Sequence, residues 1–336
     1  MENKKQNDEQ SDTQDGGLIY GFIFDGKGSA RKASLDDIGT KIRGKEFLWL
    51  HLDLEHPNTK KWLKNESGIE RVICESLLAE DTRPRIYSLK DSMLAVFRGI
   101  NFNPGSVPDD MVSLRLWINN KQQIISLRRL PVIAMQDMVE SVQKGKGPSS
   151  CGEFLNMTLR SLTSRIGESV SDIDDQIDSM EELENFTDHR NIRQELNNIR
   201  RAAIGIRRYI VPQREALSLI STEKYDWLTD NDRMRIRESS ERTQRYVEDL
   251  DLIRERSTLI KEEITSRIAD QMNRTIYMMS IVATIFLPLG LLTGLLGINV
   301  GGIPGSEWKW SFVVVCGILV GLAGLELWIF KRRDFL

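Results

Sequence analysis

The sequence predicts an α+β/α membrane protein: an N-terminal α/β domain, a long helical stalk and two transmembrane helices at the C-terminal end. Three observations carry this. An uncharged run extends from Thr275 to Ser306 and a second apolar run from Trp310 to Phe330; about 20 apolar residues suffice to cross roughly 30 Å of hydrocarbon. Short β-rich runs fill the chain from Leu18 to about Leu130. Between these regions the strand signal gives way to long stretches with apolar residues at steps of three and four.

Taken in order, residues 1–17 are polar, rich in Lys, Asp, Gln and Asn, and have no apolar centre. They predict a disordered tail and no signal peptide. Residues 18–130 are predicted to form a cytosolic α/β sheet domain, with strands over 18–24, 47–52, 93–97, 112–118 and 123–127 and helical spacing over 69–79. Several of these strands follow one another without a helix between them, which predicts a mixed or antiparallel sheet. Gly26-Lys27-Gly28 fits a turn between strands.

Residues 131–229 read as cytosolic charged helices. Over 154–180, Leu155, Leu159, Leu162, Ile166, Val170, Ile173 and Ile177 form one apolar stripe, and 191–220 continues in that style. The opposite faces carry Asp172, Asp174, Asp175, Asp178, Glu181, Glu182 and Glu184. Such a run is ordinarily a solvated helix face; cation sensing is the sharper alternative. From Asp230 no Pro or Gly occurs until Pro288 and Gly290, so residues 230–271 are predicted to be a stalk helix running directly into the membrane. Leu250, Ile253, Ile260 and Ile264 fit a heptad. One helix of about 65 residues would be about 100 Å long, so it must pack against neighbours, which predicts a stalk in an oligomer. The first transmembrane helix is placed at 272–299, an external loop at 300–309, the second transmembrane helix at 310–330 and a basic tail at 331–336. Arg267 and Arg274 precede the first span and Lys331, Arg332 and Arg333 follow the second, whereas the loop has Lys309 beside Glu307. Basic residues mark cytoplasmic ends, so both termini are predicted to be cytoplasmic.

Composition narrows the function. The 336 residues carry a formal net charge of −3, which implies no basic nucleic-acid surface and suits cations better. Cys74, Cys151 and Cys316 have no paired spacing, so neither a disulfide framework nor a cysteine zinc site is indicated. His51 and His56 lie five apart on a predicted strand-to-loop segment, and His189 is distant; structural roles outweigh metal ligation. No nucleophile elbow, phosphate-binding loop or metal-hydrolase spacing is present, so the sequence assigns no catalytic residue and no enzyme activity.

The first span has an ordered face. Steps of three and four residues pick out Asn273, Ile276, Ser280, Ala283, Leu287, Gly290, Gly294 and Gly297, with Met279 beside Ser280. Small residues at four-residue spacing let two helices approach closely; a seam around a symmetry axis would also explain the polar residue at each end, Asn273 and Asn299. Pro288 and Gly290 together suggest a bend. No Asp, Glu, His, Lys or Arg lies between Thr275 and Ser306, so an ion path there would use amide oxygens, hydroxyls, backbone carbonyls and water. Glu326, in the second span, is about one turn from the basic tail and is expected to snorkel and pair with it.

These residues resemble the CorA family of divalent-cation channels and transporters, whose first span ends in Gly-Met-Asn before a short external loop. Here the motif is Gly297-Ile298-Asn299, followed by Val300-Gly301-Gly302-Ile303-Pro304-Gly305, and this variant resembles the ZntB zinc-transporter branch. Met272-Asn273, Thr284 to Leu289, Trp308-Lys309-Trp310 and Lys331-Arg332-Arg333 extend the resemblance. It implies a homopentameric funnel in the bacterial inner membrane, with five Asn299 side chains forming a ring at the external mouth that touches the cation transiently, through hydrating water. Asn273, Ile276, Met279, Ser280, Ala283, Leu287, Gly290 and Gly294 would line the pore, and Glu262 or Glu263 would lie near its cytosolic end. No permanently bound cofactor is implied; zinc or another divalent cation is the cargo. The branch implies zinc uptake with protons as a coupling ion. Magnesium, cobalt or nickel transport is the alternative within the family, and a membrane-anchored scaffold or sensor is the alternative outside it. Cation-held closure of the pore, as in CorA relatives, would involve acids such as Asp172, Asp175 and Glu182.

Overall fold

The computed structural model describes residues 16–40, 42–89, 91–106, 110–182, 189–298, 305 and 308–332. Of the predicted tail, Gly16 and Gly17 fall among them. The chain divides into two units, one ending at Lys261 and the other beginning at Glu262.

In the first unit, strands β1 (Leu18–Phe24), β2 (Ala30–Lys32), β3 (Phe47–Asp53), β4 (Arg85–Leu89), β5 (Ser92–Gly99), β6 (Val112–Asn119) and β7 (Gln123–Arg128) form a sheet in the order β2-β1-β3-β7-β6-β5-β4. Strands β3 and β7 pair in parallel and the remaining neighbours are antiparallel, so the sheet is mixed, as expected. The five strands read from sequence are all present. The two that reading missed, β2 and β4, stand at the edges. Short edge strands carry charged residues that spoil the apolar pattern, as Ala30-Arg31-Lys32 does, and this also discourages edge-to-edge association. The Gly26-Lys27-Gly28 turn joins β1 to β2: Gly26 and Gly28 have φ of 73° and 102°, and the Asp25 carboxylate accepts from the backbone N–H groups of Lys27 and Ser29.

Each face of the sheet is covered. Helices α1 (Pro57–Asn65) and α2 (Arg71–Leu78) supply Trp62, Leu63, Ile73 and Leu77 to a core with Leu48, Leu50, Leu94, Trp117 and Ile125. Helix α1 was not foreseen, although His56 and Pro57 are its signal: Pro57 occupies the first turn, and His56 Nδ1 accepts from Asn58 N–H at 3.3 Å. On the other face, α3 (Ile133–Gln143) and α4 (Cys151–Glu181) pack Met135, Met138, Phe154, Leu155 and Leu159 against Phe24, Trp49, Phe97, Leu114 and Ile124. Helix α5 (His189–Thr222) follows, and then α6 (Asp230–Leu296), 67 residues in one unbroken helix. Helix α7 (Ser311–Arg332) closes the described chain. The apolar stripe predicted on α4 is buried throughout.

Leu250, Ile253, Ile260 and Ile264, the heptad positions of α6, are buried against other residues of the same chain. The side of α6 that remains open carries Leu252 and Leu259 instead, at 54% and 58% exposure.

Candidate metal-ion pore

Among the described residues, helices α6 and α7 are the two elements long and apolar enough to cross a membrane. In the second unit α6 passes through Pro288 without interruption. Its hydroxyl side chains are turned back onto the helix: Ser280 Oγ donates to the Ile276 carbonyl at 2.9 Å, Thr284 Oγ1 to that of Ser280 at 2.8 Å, and Thr293 Oγ1 to that of Leu289 at 2.9 Å. Such bonds satisfy the hydroxyl hydrogen where no water is available.

The two sides of α6 differ. Ile281, Ile285, Pro288, Leu289 and Leu292 are half-buried, whereas Asn273, Ile276, Met279, Ser280, Ala283, Leu287, Gly290 and Gly294 are exposed. At about 100° per residue the seam read from sequence, Ile276 to Gly294, and the half-buried stripe lie on opposite sides of the helix. On α7 the half-buried residues Val315, Cys316, Leu319, Leu322, Ala323, Glu326 and Phe330 likewise share one stripe. A Cβ placed on Gly290 or Gly294 would meet no described atom within 4 Å. Among the described residues these glycines therefore make no close helix contact, and the seam is left open.

Gly297 has a different role. The helix ends at Leu296, the Gly297 N–H donates to the Thr293 carbonyl at 2.9 Å, and a Cβ at Gly297 would lie 2.9 Å from that same oxygen. A glycine is needed to close the helix this tightly. Ile298 follows and is exposed. Asn299, the expected selectivity residue, lies outside the described residues, as do 300–304, 306–307 and 333–336.

Stepping back from Asn273 by four, three and four residues reaches Ala269, Ser266 and Glu262, all exposed. Glu263, one residue off this line, is bound by Arg267 at 2.5 Å. Of the two acids named for the cytosolic end, Glu262 is thus the one on the seam. Glu326 departs from expectation: among the described residues it forms no ion pair with Lys331 or Arg332, its Oε2 is buried without a partner, and Arg332 instead lies 5.1 Å from the Trp328 ring centre. Arg333 lies outside the described residues.

The acidic run on α4 is divided. Arg256 of α6 reaches Asp174 at 2.9 Å, Asp178 at 2.5 Å and Glu181 at 2.7 Å, and these carboxylates raise the Arg256 guanidinium above its already high range. Asp172, Asp175 and Glu182 remain exposed, and Glu184 lies outside the described residues. No group of three or more His, Cys, Asp or Glu among the described residues is placed to hold an ion. The Arg256 cluster was invisible in the sequence, because its partners are more than 70 positions away.

A sequence model of the family described as "CorA-like Mg2+ transporter protein" matches residues 44–332. The chain belongs to this family. The CorA-like chain is 39% identical over 323 residues to "Divalent cation transporter CmaX" of Pseudomonas aeruginosa, covering 95% of this chain and 97% of that one. It is 36% identical over 320 residues to "Zinc transport protein ZntB" of Yersinia enterocolitica, covering 95% and 96%. The solved full-length CmaX structure superposes with a TM-score of 0.83 at 38% identity, over 96% of this chain and 99% of that one. At 17% identity the CorA magnesium transporter of Methanocaldococcus jannaschii shares the fold, with a TM-score of 0.78 over 94% of this chain and 99% of the other. The CorA-like fold class read from the sequence, an α/β domain followed by a long helix and two C-terminal membrane-capable helices, therefore holds over 96% of the chain.

Proposed function

We propose that this CorA-like chain transports divalent metal cations across the bacterial inner membrane, zinc foremost and in the direction of uptake, through a pore on the axis of a homopentamer. Residues 272–299 are the pore helix, 300–309 the external loop and 310–330 the outer span, with both termini cytoplasmic and the basic residues Arg267, Arg274, Lys331 and Arg332 at the cytoplasmic ends. The observation that carries this reading is the two-sidedness of α6. One side is partly covered within the chain, and the opposite side, Asn273 to Gly294, is open and follows the steps of a bundle seam. The names of the CmaX and ZntB relatives support divalent cations, and zinc in particular, as cargo.

The chemistry of the seam fits an ion that keeps its water. Zinc held tightly takes Cys, His or carboxylate ligands in a tetrahedral site, and the seam has none between Ile276 and Gly297. Transport needs weak, brief contacts instead. Five Asn299 amides at the outer mouth would hydrogen-bond the hydration shell without stripping it. Gly297 lets the chain turn there, and Glu262 at the inner end would concentrate cations.

The test is zinc entry into proteoliposomes containing a zinc-sensitive dye, comparing wild type with Asn299→Ala, with and without an inward proton gradient. Entry that requires Asn299 and rises with the gradient is the expected result and makes protons the coupling ion; entry indifferent to the gradient identifies a channel. Strong magnesium flux without zinc flux overturns the zinc assignment. An intact assembly with no flux overturns transport in favour of a membrane-anchored scaffold or sensor.

A further inference from the structure

We infer that the buried guanidinium of Arg115 forms one wall of a binding site for a chloride-sized inorganic anion inside the N-terminal domain. The site is independent of the pore. By strand alternation, four arginines fall on the face of the sheet that α1 and α2 cover. Arg85 on β4, Val96 on β5, Arg115 on β6 and Leu127 on β7 make one row across four strands. In the next row Arg98 stands opposite Ser113, which makes it a diagonal neighbour of Arg115, about 7–8 Å away for such a pair. Arg129 follows the end of β7, two residues beyond Leu127 and so on the same side.

Three of the four have partners. Arg129 pairs with Glu55 at 3.0 Å and Arg85 with Asp81 at 3.5 Å. Arg98 donates to the Thr82 carbonyl at 3.0 Å, to Thr82 Oγ1 and to the Met111 carbonyl, with its guanidinium 4.4 Å from the Tyr209 ring centre. Arg115, by contrast, is wholly buried. Its Nη2 donates at 2.7 Å to the carbonyl of Ala79, just past the end of α2, where a helix terminus favours a cation. Among the described residues its Nε and Nη1 have no partner, and Arg85 Nε is likewise buried and unpaired. Glu55, the acid whose charge reaches Arg115, is already held by Arg129. Burial, and then the charges of Arg129, Arg98 and Arg85, pull Arg115 down to about 10, which leaves it a cation at neutral pH. A buried ion without a counter-ion is costly. Water fills such a gap poorly, because arginines offer only donors and the two hydrogens of a water need acceptors of their own. An anion accepts from every side, and burial limits it to a small one.

The test is thermal unfolding of the full-length protein in detergent, in sodium chloride and in sodium gluconate at equal concentration, so that ionic strength is constant and gluconate is too large for a buried site. The wild type should melt about 3 °C higher in chloride, as expected for a ligand at roughly tenfold its Kd, and the increment should saturate. Bromide should act alike. A general salt effect on the surface would instead grow without saturating and persist in every variant. In Arg115→Met the increment should vanish, and comparing each variant with itself in the two salts removes any change in its own stability. Arg129→Gln, on the rim with a side chain 45% exposed, should raise the chloride concentration for half the increment about tenfold; it carries the test if Arg115→Met does not fold. Crystals grown in bromide should show an anomalous peak within hydrogen-bonding reach of Arg115 Nε or Nη1. Equal wild-type melts in chloride and gluconate, an increment that survives in Arg115→Met, a half-point unmoved in Arg129→Gln, or bromide confined to the surface overturns the site.

Discussion

His51 is wholly buried on β3, with Nδ1 2.8 Å from Ser126 Oγ, while Ser126 also receives the Trp49 indole N–H at 2.8 Å. The Tyr20 ring stacks 5.9 Å away. Burial, and secondarily the Arg128 charge, hold the imidazole well below its usual range. The folded chain therefore keeps His51 neutral where the unfolded chain, with a value of about 6.5, begins to bind a proton. Below that pH the unfolded state binds more protons, so stability falls as pH falls, by about 1.4 kcal/mol per unit while the folded imidazole stays neutral. Thermal melts between pH 7 and pH 5 should show this slope in the wild type and a shallower one in His51→Gln. Cys151 gives a second check: burial pushes its thiol up to about 12, so iodoacetamide at pH 8 should leave it unmodified until the fold opens. Of the two histidines of this segment, His51 lies in the core and His56 caps α1. The partners, however, lie 75 positions away for His51 and could not be read from its own segment.

Among the elements, α4 and α6 are joined by two devices that their stripes do not reveal. The first is Gly152, where an added Cβ would lie 2.4 Å from the Asp232 carboxylate. That carboxylate cannot retreat, because it accepts from Thr229 N–H, Thr229 Oγ1 and Asn156 Nδ2. Gly152→Ala should therefore cost about 1–3 kcal/mol, the usual penalty for overpacking, measurable as a lower melting temperature. The second is Arg256, which is 19% exposed and binds three carboxylates on successive turns of α4. Arg256→Ala leaves those carboxylates facing one another and should cost about 1–2 kcal/mol, with faster hydrogen exchange over 174–182; added salt should shrink the difference. Arg256→Lys should restore part of it only, since an ammonium cannot repeat the planar fork. The sequence showed that α4 has a charged face but not that Asp174, Asp178 and Glu181 are bound by Arg256.

At the scale of the whole molecule, the first unit leaves Leu252 and Leu259 exposed on α6, seven residues apart and away from the buried stripe. In the proposed homopentamer these are the residues available to neighbouring copies, so Leu252→Glu combined with Leu259→Glu should convert a five-chain species into smaller ones in native mass spectrometry. Neither change touches the buried face of α6, and the melting temperature should move little. Asn299→Ala should leave the five-chain species in place while removing flux. The two outcomes separate assembly from ion contact.

The one-dimensional pattern alone determined the five inner strands, the long helix after them and the two membrane-capable helices. Each of these follows from local periodicity or from the length of an apolar run, and such signals are complete within a window of ten to thirty residues. The Gly297-Ile298-Asn299 motif placed the chain in its family for the same reason. Only the tertiary structure decided that the Leu250 to Ile264 stripe of α6 is covered by its own chain, that Gly290 and Gly294 meet no described atom, that Glu263 is tied to Arg267, and that Glu326 pairs with neither Lys331 nor Arg332. Periodicity says that a face is apolar or small without saying what will cover it. Coverage and charge pairing depend on residues brought together from distant parts of the chain, and a local pattern does not contain that distance.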